Sequence, residues 1–287
     1  MRLSELGEAG LLSELERRGL AAGLDLEGAW DGERAVTADV LVEGVHFRRE
    51  WISWRDLGYK AAAVNLSDLA AMGAEPEGLL VSLALPPETP AAAVFDLYEG
   101  LNEPGVPVLG GDTAAAAPAF VAVTALGRSG RVPGRAGALP GDALVVTGAL
   151  GGSAAGLYAL EQGLEGFDDL VRAHRRPPLR LDEGSRLAAV AHAMLDVSDG
   201  ILADAGKLAE RSGCRVVVHV DELPLAARLA EVADLPFWAL GEDYELLAAL
   251  PPAEARASGF PIVGRCEEGS GVEPLDPGGW DAFRRRY

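Results

Sequence analysis

The order of apolar and polar positions along the chain predicts helices and strands that alternate in both halves. In the first half, helices are expected at residues 1–20, 56–73 and 90–99. Strands are expected at residues 34–42, 79–85, 106–109 and 120–126. This alternation favours an α/β fold in which layers of helices pack on β-sheets.

The second half repeats the arrangement after a segment at 128–142 that is rich in Gly, Pro and Arg. Strands are expected at 143–147 and 216–220, followed by a hydrophobic stretch at 237–250. One helix is expected to begin at residue 153, a second to cover residues 183–193, and a third to end at residue 211. We therefore predict two α/β domains that comprise residues 1–137 and 138–287.

A strong negative charge narrows the classes of partner. The 287 residues include 25 Lys and Arg against 44 Asp and Glu, which gives a net charge of -19. Such a surface repels nucleic acid and anionic membranes, so we expect neither as a partner. It does not repel Mg²⁺ or a nucleotide that arrives with Mg²⁺.

The scarce residue types add two constraints. There are only 2 cysteines, which argues against a disulfide framework and predicts a cytoplasmic protein. Lysine occurs only at Lys60 and Lys207, and the sequence lacks the glycine-rich lysine loop of P-loop nucleotide-binding proteins. If the chain handles phosphates, metal ions must therefore carry most of the positive charge.

Aspartates that stand beside small residues at the ends of apolar runs are the main chemical signal. They are Asp39, Asp68, Asp112, Asp196, Asp199 and Asp243. A carboxylate beside glycine at a strand end projects into an open crevice, and carboxylates that converge there repel one another. Mg²⁺ relieves that repulsion, because it takes oxygen ligands and bridges carboxylates to substrate phosphates.

These acids and the glycine-rich turn also have structural interpretations. Asp196 and Asp199 could cap a helix, and Asp112 could cap a turn. The stretch 147–153 could bind a phosphate through its backbone amides, or it could simply be a tight turn between a strand and a helix. Only the set of aspartates as a whole favours a functional interpretation.

Other candidate residues leave similar alternatives open. Arg128, Arg131 and Arg135 could bind phosphate or lie in a solvated loop. A lone histidine such as His46 is more often structural than catalytic. Trp280 could anchor the C-terminal segment or stack on an aromatic ligand.

Five motifs together resemble the thiamine-monophosphate kinase family. They are TADVLVEGVHF at 37–47, NLSDLAAMG at 65–73, GGDT at 110–113, DVSDG at 196–200 and GEDYEL at 241–246. They occur in the family's order and continue to GWDAF at 279–283, so the resemblance covers nearly the whole chain. The wider superfamily includes aminoimidazole-ribonucleotide synthetases and selenophosphate synthetases.

The resemblance implies an N-terminal domain that binds ATP and Mg²⁺ and pairs in a homodimer, and a C-terminal domain that completes the substrate site. The implied reaction is transfer of the γ-phosphoryl group of ATP to thiamine monophosphate. It gives thiamine diphosphate in the last step of its biosynthesis, with several Mg²⁺ ions and with ATP as co-substrate. No residue is expected to act as a general base, because the acceptor is already an anion and catalysis relies on positioning and metal neutralisation.

The resemblance also implies roles for individual residues. The magnesium ligands would be Glu27, Thr37, Asp39, Asp68, Asp112, Asp196 and Asp199. The contacts to ATP would be Gly111, Asp112, Arg135 and Ser198. The contacts to thiamine monophosphate would be His46, Glu242 and Trp280.

Two positions depart from the family pattern. Leu26 and Glu27 stand where the family has two aspartates, and Ala38 stands where it usually has a hydroxyl. These departures leave two alternatives: a non-catalytic paralogue that binds nucleotide or thiamine phosphate, and a superfamily synthetase that uses ATP on another acceptor. The retained metal carboxylates favour the kinase.

Overall fold

The computed structural model describes residues 2–21 and 25–275. The α-helices are α1 (Leu3–Arg17), α2 (Trp54–Ala71), α3 (Ala91–Asn102), α4 (Gly152–Gln162), α5 (Asp168–Arg175), α6 (Leu181–Ala188), α7 (Ile201–Ser212), α8 (Leu229–Val232) and α9 (Pro252–Ser258). Short 3₁₀ helices cover Val220–Glu222 and Phe237–Ala239. Among the described residues, no helix combines the length and apolar character that crossing a membrane requires.

The strands form two sheets, one in each half of the chain. The first sheet contains β1 (Ala29–Trp30), β2 (Arg34–Val42), β3 (Glu75–Leu85), β4 (Val108–Ala115) and β5 (Phe120–Arg128). The second contains β6 (Ala143–Val146), β7 (Ala193–Asp196), β8 (Arg215–Val218), β9 (Leu246–Leu250), β10 (Ile262–Glu267) and β11 (Gly271–Glu273).

The first sheet is covered by helices on one face only. Its strand order is β1-β2-β5-β3-β4, and every neighbouring pair is antiparallel except β3 and β4. Side chains alternate between faces along each strand. On β2, Ala35, Thr37 and Leu41 lie on the face that α2 covers and are buried, whereas Ala38 and Val40 lie on the other face and are exposed.

The second sheet is covered on both faces. Its order is β11-β8-β10-β6-β9-β7, and the neighbours are antiparallel except for β11 and β8. Every residue of β6 and of β9 is buried, because α7 and α9 lie against the sheet on opposite sides. These two strands are therefore continuous apolar runs, as expected for strands in the middle of such a sheet.

Helix α2 lies between the two sheets and is buried around its whole circumference. At its C-terminal end, Ala70 and Ala71 join the core of the second domain with Met194. Gly184 of α6 permits this approach, since a Cβ at Gly184 would collide with the carbonyl oxygen of Ala70. The polar residues in the second half of α2 are consequently held at the junction between the sheets.

The predicted α/β class is confirmed, but several element boundaries are wrong. The strand expected at 106–109 continues to Ala115, so GGDT lies inside edge strand β4 and not in a turn after a strand. Parallel pairing with β3 supplies the hydrogen bonds that extend it. The helix expected at 183–193 ends at Ala188, and the stretch 237–250 divides into a 3₁₀ helix, a loop and β9.

Candidate active site

Carboxylates from separate elements converge at the junction of the two sheets. Glu27 lies just before β1, Asp68 lies on α2, and Asp196 ends β7. One carboxylate oxygen from each lies within 4.8 Å of the others. Asp39 of β2 lies close enough to Asp68 for its charge to raise the pKa of Asp68. We call Glu27, Asp39, Asp68 and Asp196 the acid cluster.

Burial and mutual repulsion oppose ionisation of the three aspartates of the acid cluster. Burial raises the pKa of Asp68 well above its ordinary value, and the charges of Asp39 and Asp196 raise it further. Burial and the charge of Glu27 raise the pKa of Asp196 in the same way, although Ser67 Oγ donates a hydrogen bond to it at 2.6 Å. Desolvation of its carboxylate by surrounding protein atoms, followed by the charge of Glu27, raises the pKa of Asp39 to about 6.

This donor set fits Mg²⁺. The ligands offered are carboxylate oxygens, the hard donors that Mg²⁺ takes in proteins. Arg135 already places a guanidinium at the cluster: its Nε donates to Glu27 Oε1 at 2.8 Å, and a second nitrogen donates to Oε2. The pKa values of Asp68 and Asp196 stay raised in spite of Arg135, so a further cation would relieve repulsion that remains.

Asp199 lies on the loop after β7 and has a protein counter-ion. Lys207 Nζ donates to Asp199 Oδ2 at 2.6 Å and to Asp204 Oδ1 at 2.7 Å. Asp204 also accepts the backbone N–H groups of Asp199 and Gly200, at 3.0 and 3.1 Å. Asp204 therefore holds the backbone that leads into α7, and neither Asp196 nor Asp199 caps this helix with its side chain.

Strand β2 is attached to α2 by Asn65. Thr37 Oγ1 donates to the backbone carbonyl of Asn65 at 3.1 Å, and the backbone N–H of Asp39 donates to Asn65 Oδ1 at 3.1 Å. These bonds fix the position of Asp39 relative to Asp68. Thr37 is buried and lies on the same face of β2 as Asp39.

Gly111 and Asp112 lie on the exposed edge strand β4. The resemblance predicts that they bind MgATP together with the metal carboxylates, but β4 places them away from the acid cluster. Asp112 Oδ1 accepts the N–H of Thr113 at 2.9 Å. Gly111 has a φ of 151°, and a Cβ at this position would collide with the carbonyl oxygen of Val81. The three described carboxylates that come within 4.8 Å of one another do not include Asp112.

Glu242 lies on a loop that is bonded to the loop after β7. Its N–H donates to the carbonyl of Ser198 at 2.8 Å, and the N–H of Tyr244 donates to the carbonyl of Val197 at 2.9 Å. Both Glu242 and Tyr244 have positive φ values, 58° and 52°. These backbone bonds attach the loop of Glu242 to the loop that follows Asp196 and so place Glu242 near the acid cluster.

Around Glu242 the charges are matched. Lys60 Nζ donates to Glu242 Oε2 at 3.2 Å, and His174 Nδ1 lies 3.3 Å from the same oxygen. Burial opposes ionisation of Glu242, but the attraction of Lys60 and the bond to His174 outweigh it and hold the pKa of Glu242 below its ordinary value. Burial lowers the pKa of His174 and of His46, so both imidazoles are neutral at pH 7. His46 Nδ1 accepts the N–H of Val42 at 3.1 Å.

The glycine-rich turn at 147–153 binds a carboxylate of the protein itself. Asp243 Oδ2 accepts the N–H of Gly151 at 2.8 Å, and Asp243 Oδ1 accepts the N–H of Ser153 at 3.4 Å. Burial raises the pKa of Asp243 to about 7, although these amide bonds lower it. The structural interpretation of the turn therefore holds, and Asp243 does not belong to the acid cluster.

The arginines that follow β5 differ in what they contact. Arg128 pairs with Glu33 at 2.7 Å and with Glu77, on the surface. Arg131 donates to the carbonyl oxygens of Ala188 and Ala191 and so links the two domains. Only Arg135 reaches the acid cluster. Trp280 lies outside the described residues.

Comparison with known proteins identifies the family. The N-terminal domain of AIR synthase related proteins matches residues 21–129, and the C-terminal domain matches residues 140–261. The thiamine-monophosphate kinase of Mycobacterium tuberculosis is 37% identical over 312 residues, which cover 98% of this chain and 93% of the relative. The thiamine-monophosphate kinase of Aquifex aeolicus is 35% identical over 309 residues, which cover 99% and 100%. The chain belongs to the thiamine-monophosphate kinase family.

A solved structure agrees with membership of the thiamine-monophosphate kinase family. AaThiL complexed with AMPPCP and TMP has a TM-score of 0.92 and 34% identity to this chain, with 98% of each chain covered. The resemblance carried by the five motifs and the enzyme class, an ATP-dependent kinase, are thereby confirmed. The roles of the individual site residues stay predictions.

Residues that reasoning from the sequence missed are mostly the counter-ions. Lys60, His174, Lys207 and Asp204 pair with or position acids that the motifs contain. For the two lysines, the rarity of the residue type was a usable signal, because Lys60 and Lys207 are the only lysines in the chain. In a chain whose other basic residues are all arginine, a lysine is a candidate for a position that needs a compact ammonium group.

Proposed function

We propose that this member of the thiamine-monophosphate kinase family transfers the γ-phosphoryl group of ATP to thiamine monophosphate, giving thiamine diphosphate and ADP. The observation that carries the proposal is the direct bonding of the loop after β7, which follows Asp196, to the loop that bears Glu242. Acids suited to phosphate-bound metal and an acid suited to an organic ring thereby share one rigid site. The complex of AaThiL with AMPPCP and TMP supports the same pair of ligands.

Most of the proposed magnesium ligands lie at or beside the acid cluster, and Asp112 lies apart from it on β4. The proposed set is Glu27, Thr37, Asp39, Asp68, Asp112, Asp196 and Asp199. Bound Mg²⁺ supplies charge neutralisation to phosphates that must approach one another. The residues themselves contribute position: α2, β2 and β7 hold Asp68, Asp39 and Asp196 in place before any ligand arrives.

The remaining proposed contacts divide between the two substrates. ATP would contact Gly111, Asp112, Arg135 and Ser198, and thiamine monophosphate would contact His46, Glu242 and Trp280. The guanidinium at the acid cluster supports Arg135, and the accessible edge of the first sheet supports Gly111 and Asp112. On the substrate side, burial lowers the pKa of His46, and Glu242 lies close enough for its charge to offset part of that fall.

No general base is needed for this reaction. The attacking oxygen belongs to a phosphate that is already anionic, so no proton has to leave before attack. Holding the two phosphates in line and reducing their repulsion are the tasks that remain. The neutral His46 and His174 fit this scheme as hydrogen-bonding groups.

A homodimer through the open face of the first sheet completes the proposal. Val40, Leu80 and Leu109 are 44%, 40% and 58% exposed on the strands of this sheet. Apolar side chains grouped on an open sheet face are typical of an interaction surface. We expect wild-type protein to elute as a dimer in light-scattering chromatography and Leu80→Asp to elute as a monomer; a monomeric wild type would contradict the pairing.

The domain boundary between 137 and 138 and the cytoplasmic location are also proposals. Strand β5 ends at Arg128 and β6 begins at Ala143, so the boundary falls in the connection between the sheets. Cys214 and Cys266 are both buried free thiols, which supports a reducing compartment.

The departures from the family pattern do not favour a non-catalytic paralogue. Glu27 contributes a carboxylate to the acid cluster in spite of its longer side chain. Ala38 lies on the open face of β2, opposite the face that carries Asp39 and Thr37, so it removes no ligand from the cluster. A catalytic role is therefore the better explanation of the site.

A product assay tests the proposed function. The protein is incubated with MgATP and thiamine monophosphate, and thiamine diphosphate is measured by chromatography, with thiamine as a control acceptor. We expect diphosphate from the monophosphate alone and none in EDTA. Ligand binding without product would favour the paralogue, and ATP consumption without thiamine diphosphate would favour a synthetase with another acceptor.

A further inference from the structure

Lys60 is a buried lysine whose ammonium group is bound to one carboxylate of the site. It lies in the first half of α2 with 0% of its surface exposed. Its Nζ donates a hydrogen bond to Glu242 Oε2 at 3.2 Å. A buried ammonium group persists only beside a counter-charge, because an unpaired charge in the protein interior loses its hydration without compensation.

Glu242 is held from its buried side and is accessible from its open side. His174 Nδ1 lies 3.3 Å from the oxygen that Lys60 contacts, and 3.2 Å from Ser153 Oγ. The side chain of Glu242 is nevertheless 26% exposed, whereas that of Lys60 is fully enclosed. The backbone of Glu242 has a φ of 58°, a conformation that a glutamate adopts only where the surroundings impose it. This is the arrangement expected of a ligand-binding acid.

Helix α2 connects this acid to the acid cluster. Lys60 holds Glu242, and seven residues later Ser67 Oγ holds Asp196 Oδ2 at 2.6 Å. Residues seven apart lie on the same face of a helix, two turns or about 10 Å along its axis. One rigid helix therefore sets the separation between the phosphate end and the ring end of the site.

We infer that Lys60 is a positioning residue for the substrate: it fixes the carboxylate of Glu242, against which the organic part of thiamine monophosphate is recognised. Lys60 has no exposed surface, so it acts through Glu242 and makes no contact of its own with the substrate. His174 is neutral, which leaves Lys60 as the charge that keeps Glu242 an acceptor of hydrogen bonds. The inference rests on the proposed function, since it takes Glu242 as a substrate contact.

The test compares Lys60→Met, Lys60→Arg, Glu242→Gln and the double variant Lys60→Met/Glu242→Gln. Initial rates give KM for thiamine monophosphate, KM for ATP and kcat, and calorimetry gives the Kd for thiamine monophosphate without ATP. Lys207→Met is the matched control, because it removes the other lysine from an acid on the metal side of the site.

We expect Lys60→Met to raise KM and Kd for thiamine monophosphate at least about tenfold, the range of one hydrogen bond to a charged group. KM for ATP should change less than about threefold, and Lys60→Arg should recover part of the loss. In the Glu242→Gln background, Lys60→Met should add less than about threefold, because the group through which Lys60 acts is gone. Lys207→Met should leave the Kd for thiamine monophosphate within about threefold of wild type.

Three results would overturn the inference: a wild-type Kd in Lys60→Met, an equal rise in KM for both substrates, or the same rise with and without Glu242. If Lys60→Met does not fold, the double variant, in which no buried charge is left unpaired, carries the comparison with Glu242→Gln. A wild type that binds thiamine monophosphate but forms no thiamine diphosphate would refute the proposed function, while the calorimetric comparison would still decide the role of Lys60.

Discussion

The acid cluster and the surroundings of Glu242 have opposite effects on the ionisation of their carboxyl groups. In the acid cluster, carboxylates face one another, and burial with mutual repulsion raises the pKa values of Asp68 and Asp196. Around Glu242, a buried ammonium group and a neutral imidazole hold the carboxylate, and its pKa is lowered. The first region keeps repulsion among its carboxylates that its protein contacts do not remove, whereas the second is organised by the protein alone.

This difference fits the proposed function, in which MgATP binds at the first region and thiamine monophosphate at the second. Metal and nucleotide arrive and leave in each turnover, so a site that is relieved only when they bind is suited to them. An organic ring is better recognised by a preformed surface, because the binding free energy is then not spent on ordering side chains. Helix α2 supports both regions through Ser67 and Lys60.

The largest expected effect comes from neutralising the acid cluster. Asp68→Asn or Asp196→Asn should lower kcat by about 10³-fold or more, the range found when a group that stabilises transition-state charge is lost. In EDTA the same variants should melt at a higher temperature than wild type, because a buried repulsive charge has been removed. Enzyme assays and thermal unfolding measure both effects.

Asp221→Asn is the matched control for that experiment, because Asp221 is exposed on a 3₁₀ helix. It should keep both wild-type turnover and wild-type melting in EDTA. Asp68→Asn and Asp196→Asn that remain active would show that the acid cluster has only a structural role. A fall in the melting temperature of these two variants would show that contacts within the protein already compensate the repulsion among the carboxylates.

Lys207 should matter for stability more than for substrate recognition. Lys207→Met leaves Asp204 buried beside Asp199 without the ammonium group, so we expect a loss of about 2 kcal/mol in the free energy of unfolding. Urea denaturation measures the loss, and Lys207→Arg, which keeps the charge, should lose less. Equal stability of Lys207→Met and wild type would mean that the pair contributes nothing.

Glu27 tests how much of the acid cluster depends on charge and how much on length. Glu27→Gln should weaken Mg²⁺ binding about tenfold, because one anionic ligand is lost. Glu27→Asp keeps the charge, loses the reach to Arg135 and restores the residue type that the family pattern has there, so it should stay within about threefold of wild type. Calorimetric titration with MgCl₂ measures both, and an unchanged affinity in Glu27→Gln would exclude Glu27 as a ligand.

The last expected effect is a gradual dependence of stability on pH in the absence of metal. The folded-state pKa of Asp39 is about 6 and that of Asp243 about 7, both above the value of an unfolded aspartate, roughly 3.9. The native state therefore binds more protons than the unfolded state between these values, and stability falls as pH rises from about 4 to about 7.

Chemical denaturation in EDTA at pH 5, 6, 7 and 8 measures this slope. Saturating Mg²⁺ should remove the part that Asp39 contributes and leave the part from Asp243, which is bound to backbone amides. Asp39→Asn should make the metal-free slope shallower. A stability that rises with pH in EDTA would contradict the account of the acid cluster.

Local pattern was enough to predict four of the five strands of the first sheet and to single out the aspartates of the acid cluster. Strand β2 has the predicted bounds of 34–42, because its alternation is long and is flanked by turn residues. Asp68 and Asp196 stand out because each is an acid within an apolar run. Their convergence needed the resemblance, since it depends on how α2 packs between two sheets.

Partners that are distant in sequence could not be predicted from pattern. The hydrogen bond between Lys60 and Glu242 joins residues 182 positions apart in sequence, and the bond between Ser67 and Asp196 joins residues 129 positions apart. Asp243 looked like a member of the acid set, yet the turn at 147–153 supplies amides that bind it. The short elements α5, β10 and β11 carry too few periods to be recognised before tertiary packing selects them.

Calorimetric titration of metal-free protein with Mg²⁺, without either substrate, tests the contrast between the two regions most directly. The account predicts saturable binding in wild type and in Glu242→Gln, and loss of that binding in Asp68→Asn and Asp196→Asn. Mg²⁺ binding that survives in both aspartate variants, or that disappears in Glu242→Gln, would contradict it.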